Sequence, residues 1–136
     1  MLHLHTEKSS AFTTLDSTTK YEEYIDRAKE YNMESIAFTE HGNVLGWINK
    51  KRYSEEHGLK YIHGVEAYIT EGLTDDIDSR VYDNFHVILL ARNYEGVKEI
   101  NKLLSQASVR SDVHTYEDMS DVPHYYYQPR ITYKDL

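Results

Sequence analysis

Short strand-like apolar runs alternate with helix-period segments along this chain, and that alternation constrains its fold more than any other feature. Residues 1–6 set Leu2 and Leu4 against His3 and His5 with a period of two. Residues 35–39 carry Ile36, Ala37 and Phe38, and residues 60–70 carry Tyr61, Ile62, Val65, Ala67, Tyr68 and Ile69. Residues 85–92 hold the run Val87-Ile88-Leu89-Leu90-Ala91, which predicts a strand covered on both faces. A last short strand is expected at Tyr125-Tyr126-Tyr127, before Pro129.

Three helices are expected between these strands. Thr19 with Glu22 three residues later predicts a capping box, followed by Tyr21, Tyr24, Ile25 and Ala28 at helical spacing and a stop near Asn32. Asn43 is the expected cap of a second helix with Val44, Leu45 and Ile48 inward, running to Glu56 and ended by His57-Gly58. Asn93 is the expected cap of a third, with Val97, Ile100, Leu103, Leu104 and Ala107 as its apolar stripe. Strand and helix in this rhythm imply right-handed βαβ units and a parallel sheet. Residues 71–84 interrupt the rhythm and read as a surface hairpin or loop. Their Asp75, Asp76 and Asp78 lack the Gly and terminal Glu of an EF-hand.

Composition narrows the function. The chain has 136 residues, 40% hydrophobic and 28% charged, as expected of one soluble domain. The apolar run is far too short to cross a bilayer, and histidines at positions 3 and 5 do not fit a signal peptide, so a cytoplasmic protein without membrane contact is expected. With no cysteine there is neither a disulfide scaffold nor a thiolate metal site. A net charge of −8 argues against gripping nucleic acid by overall attraction. Lys50-Lys51-Arg52 is the one compact basic cluster and reads as a solvated helix face. Eight histidines beside a single Trp call for explanation.

In parallel α/β folds, chemistry gathers beyond the carboxyl ends of the strands. His3 and His5, two residues apart on a strand, share a face. Thr39-Glu40-His41-Gly42 puts an acid and a histidine at the exit of the second strand, Gly64-Val65-Glu66 puts a carboxylate in the third, and His86 opens the fourth. Each position taken singly is more often ordinary surface or core. Four successive strand-linked positions all offering imidazole or carboxylate favour one cluster over several coincidences. Nitrogen and oxygen donors without thiolate suit Zn, Mn or Fe.

Four ordered motifs carry a family resemblance: His3-Leu4-His5-Thr6 followed by Ser9; Phe38-Thr39-Glu40-His41-Gly42-Asn43; His63-Gly64-Val65-Glu66-Ala67-Tyr68; and Phe85-His86-Val87-Ile88-Leu89-Leu90-Ala91. Together they resemble the PHP (polymerase and histidinol phosphatase) domain. Ala91-Arg92-Asn93-Tyr94-Glu95-Gly96-Val97, residues 103–108 and Tyr126-Tyr127-Gln128-Pro129-Arg130-Ile131 are similar to the branch at the N-terminus of bacterial DNA polymerase III alpha subunits. The resemblance implies a distorted (βα)7 barrel of parallel strands with up to three divalent metals at its C-terminal face. His3, His5, His41, Glu66 and His86 match family metal-ligand positions. Phe12 stands where the family's next Asp is commonest, and Asp16 looks like that Asp displaced by a few residues. Glu40 replaces the usual Asp and is expected to support the neighbouring ligand without holding metal.

A complete PHP domain is about twice as long as this chain, as a seven-unit barrel requires. The family's later ligands, one after the Pro-Arg-Ile stretch and an Asp-x-His motif, have no counterpart here. The expectation is therefore the first half of a barrel, residues 1–136 being the N-terminal part of a PHP domain. Such a piece is expected to be inactive alone and open to self-association through its sheet edges. His114 and His124 match no ligand position and are expected at the surface, while His57 and His63 read as structural or exposed. The resemblance implies phosphoester hydrolysis of the 3′→5′ proofreading exonuclease type, or a supporting role in a DNA-directed DNA polymerase. DNA and the other replisome subunits would then be met through the parent polymerase. The competing readings are a scaffold module with a vestigial site and a stand-alone phosphatase of small phosphate monoesters.

Overall fold

A computed structural model describes residues 3–11, 16–70, 85–108, 125–126 and 128–136. Residues 3–6 lead into a 3-10 turn at Glu7–Ala11, followed by α1 (Tyr21–Glu30), β1 (Ser35–Phe38), α2 (Trp47–Glu56), β2 (Lys60–Thr70), β3 (Phe85–Leu90), α3 (Tyr94–Ala107), β4 (Tyr125–Tyr126) and β5 (Gln128–Thr132). The acidic run at residues 75–78, His114, His124 and Tyr127 lie outside the described residues.

β2 is the axis of the sheet. β1 runs parallel along its first half, Ser35 opposite Lys60 through Phe38 opposite His63, and β5 runs parallel beside Tyr68 to Thr70. β3 runs antiparallel to β2, from Gly64 opposite Leu90 to Ile69 opposite Phe85. Because Tyr68 and Ile69 pair with both β3 and β5, those two strands must occupy opposite edges of β2. The sheet is therefore mixed, which corrects the expectation of wholly parallel strands. An antiparallel neighbour needs no crossover helix, and the interruption of the βα rhythm at residues 71–84 falls between the two strands that pair this way.

Alternation along β2 sorts its side chains. Val65, Ala67 and Ile69 face α3, where Ile100, Leu104 and Ala107 close a core with Ile131. A second core joins Leu4, Ile25, Ala28, Ile36, Phe38 and Leu59. Glu66 and Tyr68 occupy the opposite face of β2. Gly64 is on that face too, and a Cβ there would stand 2.7 Å from Leu90 Cδ2 and 2.9 Å from the Leu89 carbonyl.

Several local expectations change. Residues 3–6 belong to no ladder, although the Thr39 amide donates to the Leu4 carbonyl at 2.9 Å and holds the segment against the end of β1. α1 starts at Tyr21, with the Glu23 carboxylate accepting from the Lys20 amide at 3.4 Å, one residue later than the Thr19 box. It stops as expected, at Asn32 with φ +54°. Asn43 caps no helix: its Oδ1 accepts from the Leu45 amide in a tight turn, and α2 begins only at Trp47. Leu45 and Ile48 consequently face outward, and Lys50 and Ser54 are the buried residues of α2. β3 is not covered on both faces, since Ile88 and Leu90 remain about two-fifths exposed. Asn93 does cap α3, accepting from the Gly96 amide at 3.0 Å.

Candidate metal centre

The centre is built where β1 ends against β2. The Glu66 amide donates to the Glu40 carbonyl at 3.0 Å and the Gly42 amide donates to the Glu66 carbonyl at 2.8 Å, a parallel bridge that sets His41 beside Glu66. Gly42, at φ +60°, then turns the chain away from the sheet. Tyr68 opposite His86 in the β2–β3 register brings the fourth histidine to the same face. The extended segment 3–6 lays His3 and His5 over it, their ring centroids 4.7 Å apart.

Glu66 lies at the centre of this arrangement. Its Oε2 is 2.7 Å from His5 Nε2, 3.5 Å from His41 Nδ1 and 3.7 Å from His3 Nε2, while its Oε1 is 2.6 Å from His86 Nδ1. Asp16 closes the far side, 2.7 Å from His5 Nδ1 and 3.3 Å from His41 Nε2. All six residues proposed as ligands from the sequence thus converge. They form three groups whose donor atoms lie within 4.8 Å of one another: His3-His5-Glu66, His5-Asp16-His41 and His41-Glu66-His86.

The donor chemistry fits divalent metal. His5 Nε2, His41 Nδ1 and Glu66 Oε2 are buried and make no hydrogen bond, although His5 Nε2 and Glu66 Oε2 lie 2.7 Å apart. Buried polar atoms are rarely left so, and three converging lone-pair donors suit a cation. Thr39 Oγ1 engages His3 Nδ1 at 2.7 Å, which leaves the His3 Nε2 lone pair directed toward Glu66 when Nδ1 carries the proton. Burial raises the Asp16 carboxyl, but the hydrogen bond and charge of His5, with the charge of His41, outweigh it and hold Asp16 below the usual range. Burial holds His41 below the ordinary imidazole value against the pull of Glu66 and Asp16, favouring the neutral ring that ligates metal.

Glu40 holds the scaffold beneath. Its carboxylate accepts from the Thr6 amide at 2.8 Å, Thr6 Oγ1 at 2.5 Å and Ser9 Oγ at 2.7 Å, and from Lys50 Nζ. Ser9 Oγ in turn accepts from the His41 amide at 3.1 Å. Burial pushes the Glu40 carboxyl up, yet the Lys50 charge and these donors hold it ionised, below its ordinary value. The Glu40 side chain thereby fixes the segment carrying His3 and His5.

Lys50 contradicts the solvated basic face expected of Lys50-Lys51-Arg52: it is 2% exposed and paired with Glu40. A buried acid at position 40 demanded a cation, and that demand was the signal available. Tyr68 was also missed. It is buried, stacks on His41 at 5.9 Å and meets His86 edge-on at 5.0 Å. His63 is buried and bridges Tyr61 and Asn101, as a structural histidine. A surface groove between the end of β3 and α3 includes none of the six residues. We assign the chemistry to the cluster because ligand donors, not apolar volume, define such a site.

The description PHP domain matches residues 1–136. The chain belongs to the PHP domain family. It is 32% identical to the DNA polymerase III subunit alpha of Aquifex aeolicus over 99% of this chain, and 35% identical to those of Borreliella burgdorferi and Helicobacter pylori over the same share. The chain spans only about a tenth of these relatives, 11%, 11% and 10% of their lengths. Among the described residues no helix is long and apolar enough to cross a membrane.

Proposed function

We propose that this chain is the N-terminal part of the PHP domain of a replicative DNA polymerase III alpha subunit, and that its cluster is a multinuclear metal site for phosphoester hydrolysis of the 3′→5′ exonuclease type. The observation that carries the metal reading is the convergence of three unsatisfied buried donors, His5 Nε2, His41 Nδ1 and Glu66 Oε2. The ligands are His3, His5, Asp16, His41, Glu66 and His86, in a mixed sheet that we read as the first half of the barrel. Bound Zn, Mn or Fe would supply Lewis acidity toward a phosphoryl oxygen and lower the pKa of a water. The chain's own contribution is to orient the donors: Thr39 sets the His3 ring, Asp16 sets His5, and Glu40 fixes the strap on which both histidines sit. DNA and the other replisome subunits reach this domain through the parent polymerase, in the cytoplasm.

Elemental analysis of the purified chain tests the site. Retained Zn, Mn or Fe that is lost on His5→Ala or Glu66→Gln supports it; a metal-free chain, with both substitutions inert, overturns it. Removal of a mismatched 3′ nucleotide by the full-length parent, abolished by the same substitutions, supports the exonuclease. Its persistence in those variants overturns that part.

A further inference from the structure

Five buried side-chain atoms among the described residues lack a hydrogen bond: three are donors of the cluster, one is Glu7 Oε2, and the last is the Tyr68 hydroxyl. Tyr68 is 2% exposed, shares the face of β2 with Glu66, stands opposite His86 in the ladder and stacks on His41. A buried phenol usually keeps a hydrogen-bond partner. Among the described residues, the hydroxyls of Thr6 and Ser9 are committed to Glu40, and that of Thr39 to the Leu4 backbone and His3.

Building on the metal reading above, we propose that the Tyr68 hydroxyl is the donor that takes a phosphate oxygen at the His41–Glu66–His86 end of the cluster. The ring nitrogens and carboxylate oxygens directed at cations have no proton to offer an incoming phosphoryl oxygen, and the Tyr68 hydroxyl is an O–H donor beside them. A hydrogen bond to a charged acceptor is among the stronger ones, and this one would form only with the anion present.

Tyr68→Phe keeps the ring stacking and removes only the hydroxyl. Metal content by elemental analysis, thermal stability, and inorganic phosphate binding to the metal-loaded chain by calorimetry are the readouts. The expected result is unchanged metal content, unchanged or raised phosphate-free stability, and phosphate binding weakened about tenfold or more. Unchanged phosphate affinity in Tyr68→Phe overturns the inference alone, as does a metal-loaded wild type that ignores phosphate. A Tyr68→Phe chain that fails to fold or loses metal makes the hydroxyl structural and also overturns it. A visible phenolate charge-transfer band in the ferric-loaded wild type, absent from Tyr68→Phe, makes Tyr68 a ligand and overturns the donor role. A wild type that binds no metal overturns the metal reading and this inference together.

Discussion

Lys50 and Glu40 form an ion pair in the interior, 2% and 1% exposed, directly beneath the strap that carries His3 and His5. Burial pulls the Lys50 ammonium down, and Glu40 is what opposes that pull. Removing one partner strands the other without a counter-charge. Lys50→Met is expected to cost about 3–5 kcal/mol of folding stability by urea denaturation, more than Glu40→Gln/Lys50→Met together. A double variant no more stable than the single would show that the pair is not coupled.

Glu66 belongs to two of the three donor groups, and all four histidines of the cluster lie around its carboxylate. Metal stoichiometry is therefore expected to fall further with Glu66→Gln than with His3→Ala or His86→Ala, each of which touches one group. Equal losses in the three variants would contradict the shared-carboxylate arrangement.

Acid is expected to weaken the fold in two stages. Burial depresses His41 and His63 below the ordinary 6.5, so the unfolded chain binds their protons first and stability declines as pH falls below about 6.5. Glu40 and Asp16, held below 4.5 and 3.8, withdraw their contribution only at lower pH, as each becomes protonated in the folded chain. Urea midpoints at pH 7.5, 5.5 and 4 read this directly, and His63→Gln should flatten the first stage. A midpoint independent of pH between 7.5 and 5.5 would rule the first stage out.

Gly64 faces backbone as well as side chain: a Cβ would meet the Leu89 carbonyl at 2.9 Å and Thr39 Cγ2 at 2.9 Å. Gly64→Ala is expected to destabilise by about 1–3 kcal/mol, because the carbonyl cannot swing aside as a side chain can. Thr39 also holds His3, so the substitution should lower metal retention too. Wild-type thermal stability in the variant would refute the crowding.

The convergence of the candidate ligands was legible in the sequence because most of them sit in short motifs at or beside strand ends. His41 and Glu66 meet through one bridge at the end of β1, and the strand periods alone put both near that edge. What escaped was settled by tertiary contacts. Leu45 and Ile48 have the spacing of a core stripe, but the Asn43 turn delays α2 to Trp47, which rotates them outward. Lys50 resembles a solvated residue until the acid it neutralises is known to be buried. The antiparallel return of β3 was invisible because an apolar run has no direction; only its partner's register supplies one.

The six candidate ligands lie far apart in sequence, from His3 to His86, and two of their three donor groups depend on β2, whose position 66 pairs with His41 on one edge and Ile88 on the other. During synthesis the two earliest histidines must therefore wait until β3 has left the ribosome before all three donor groups can exist. A nascent chain ending before His86 could assemble at most the two groups that omit it. Completion of the proposed metal centre is thus tied to a non-local strand pairing, and an ion held by the His41–Glu66–His86 group would act as a late lock on a fold already reached, not as its nucleus.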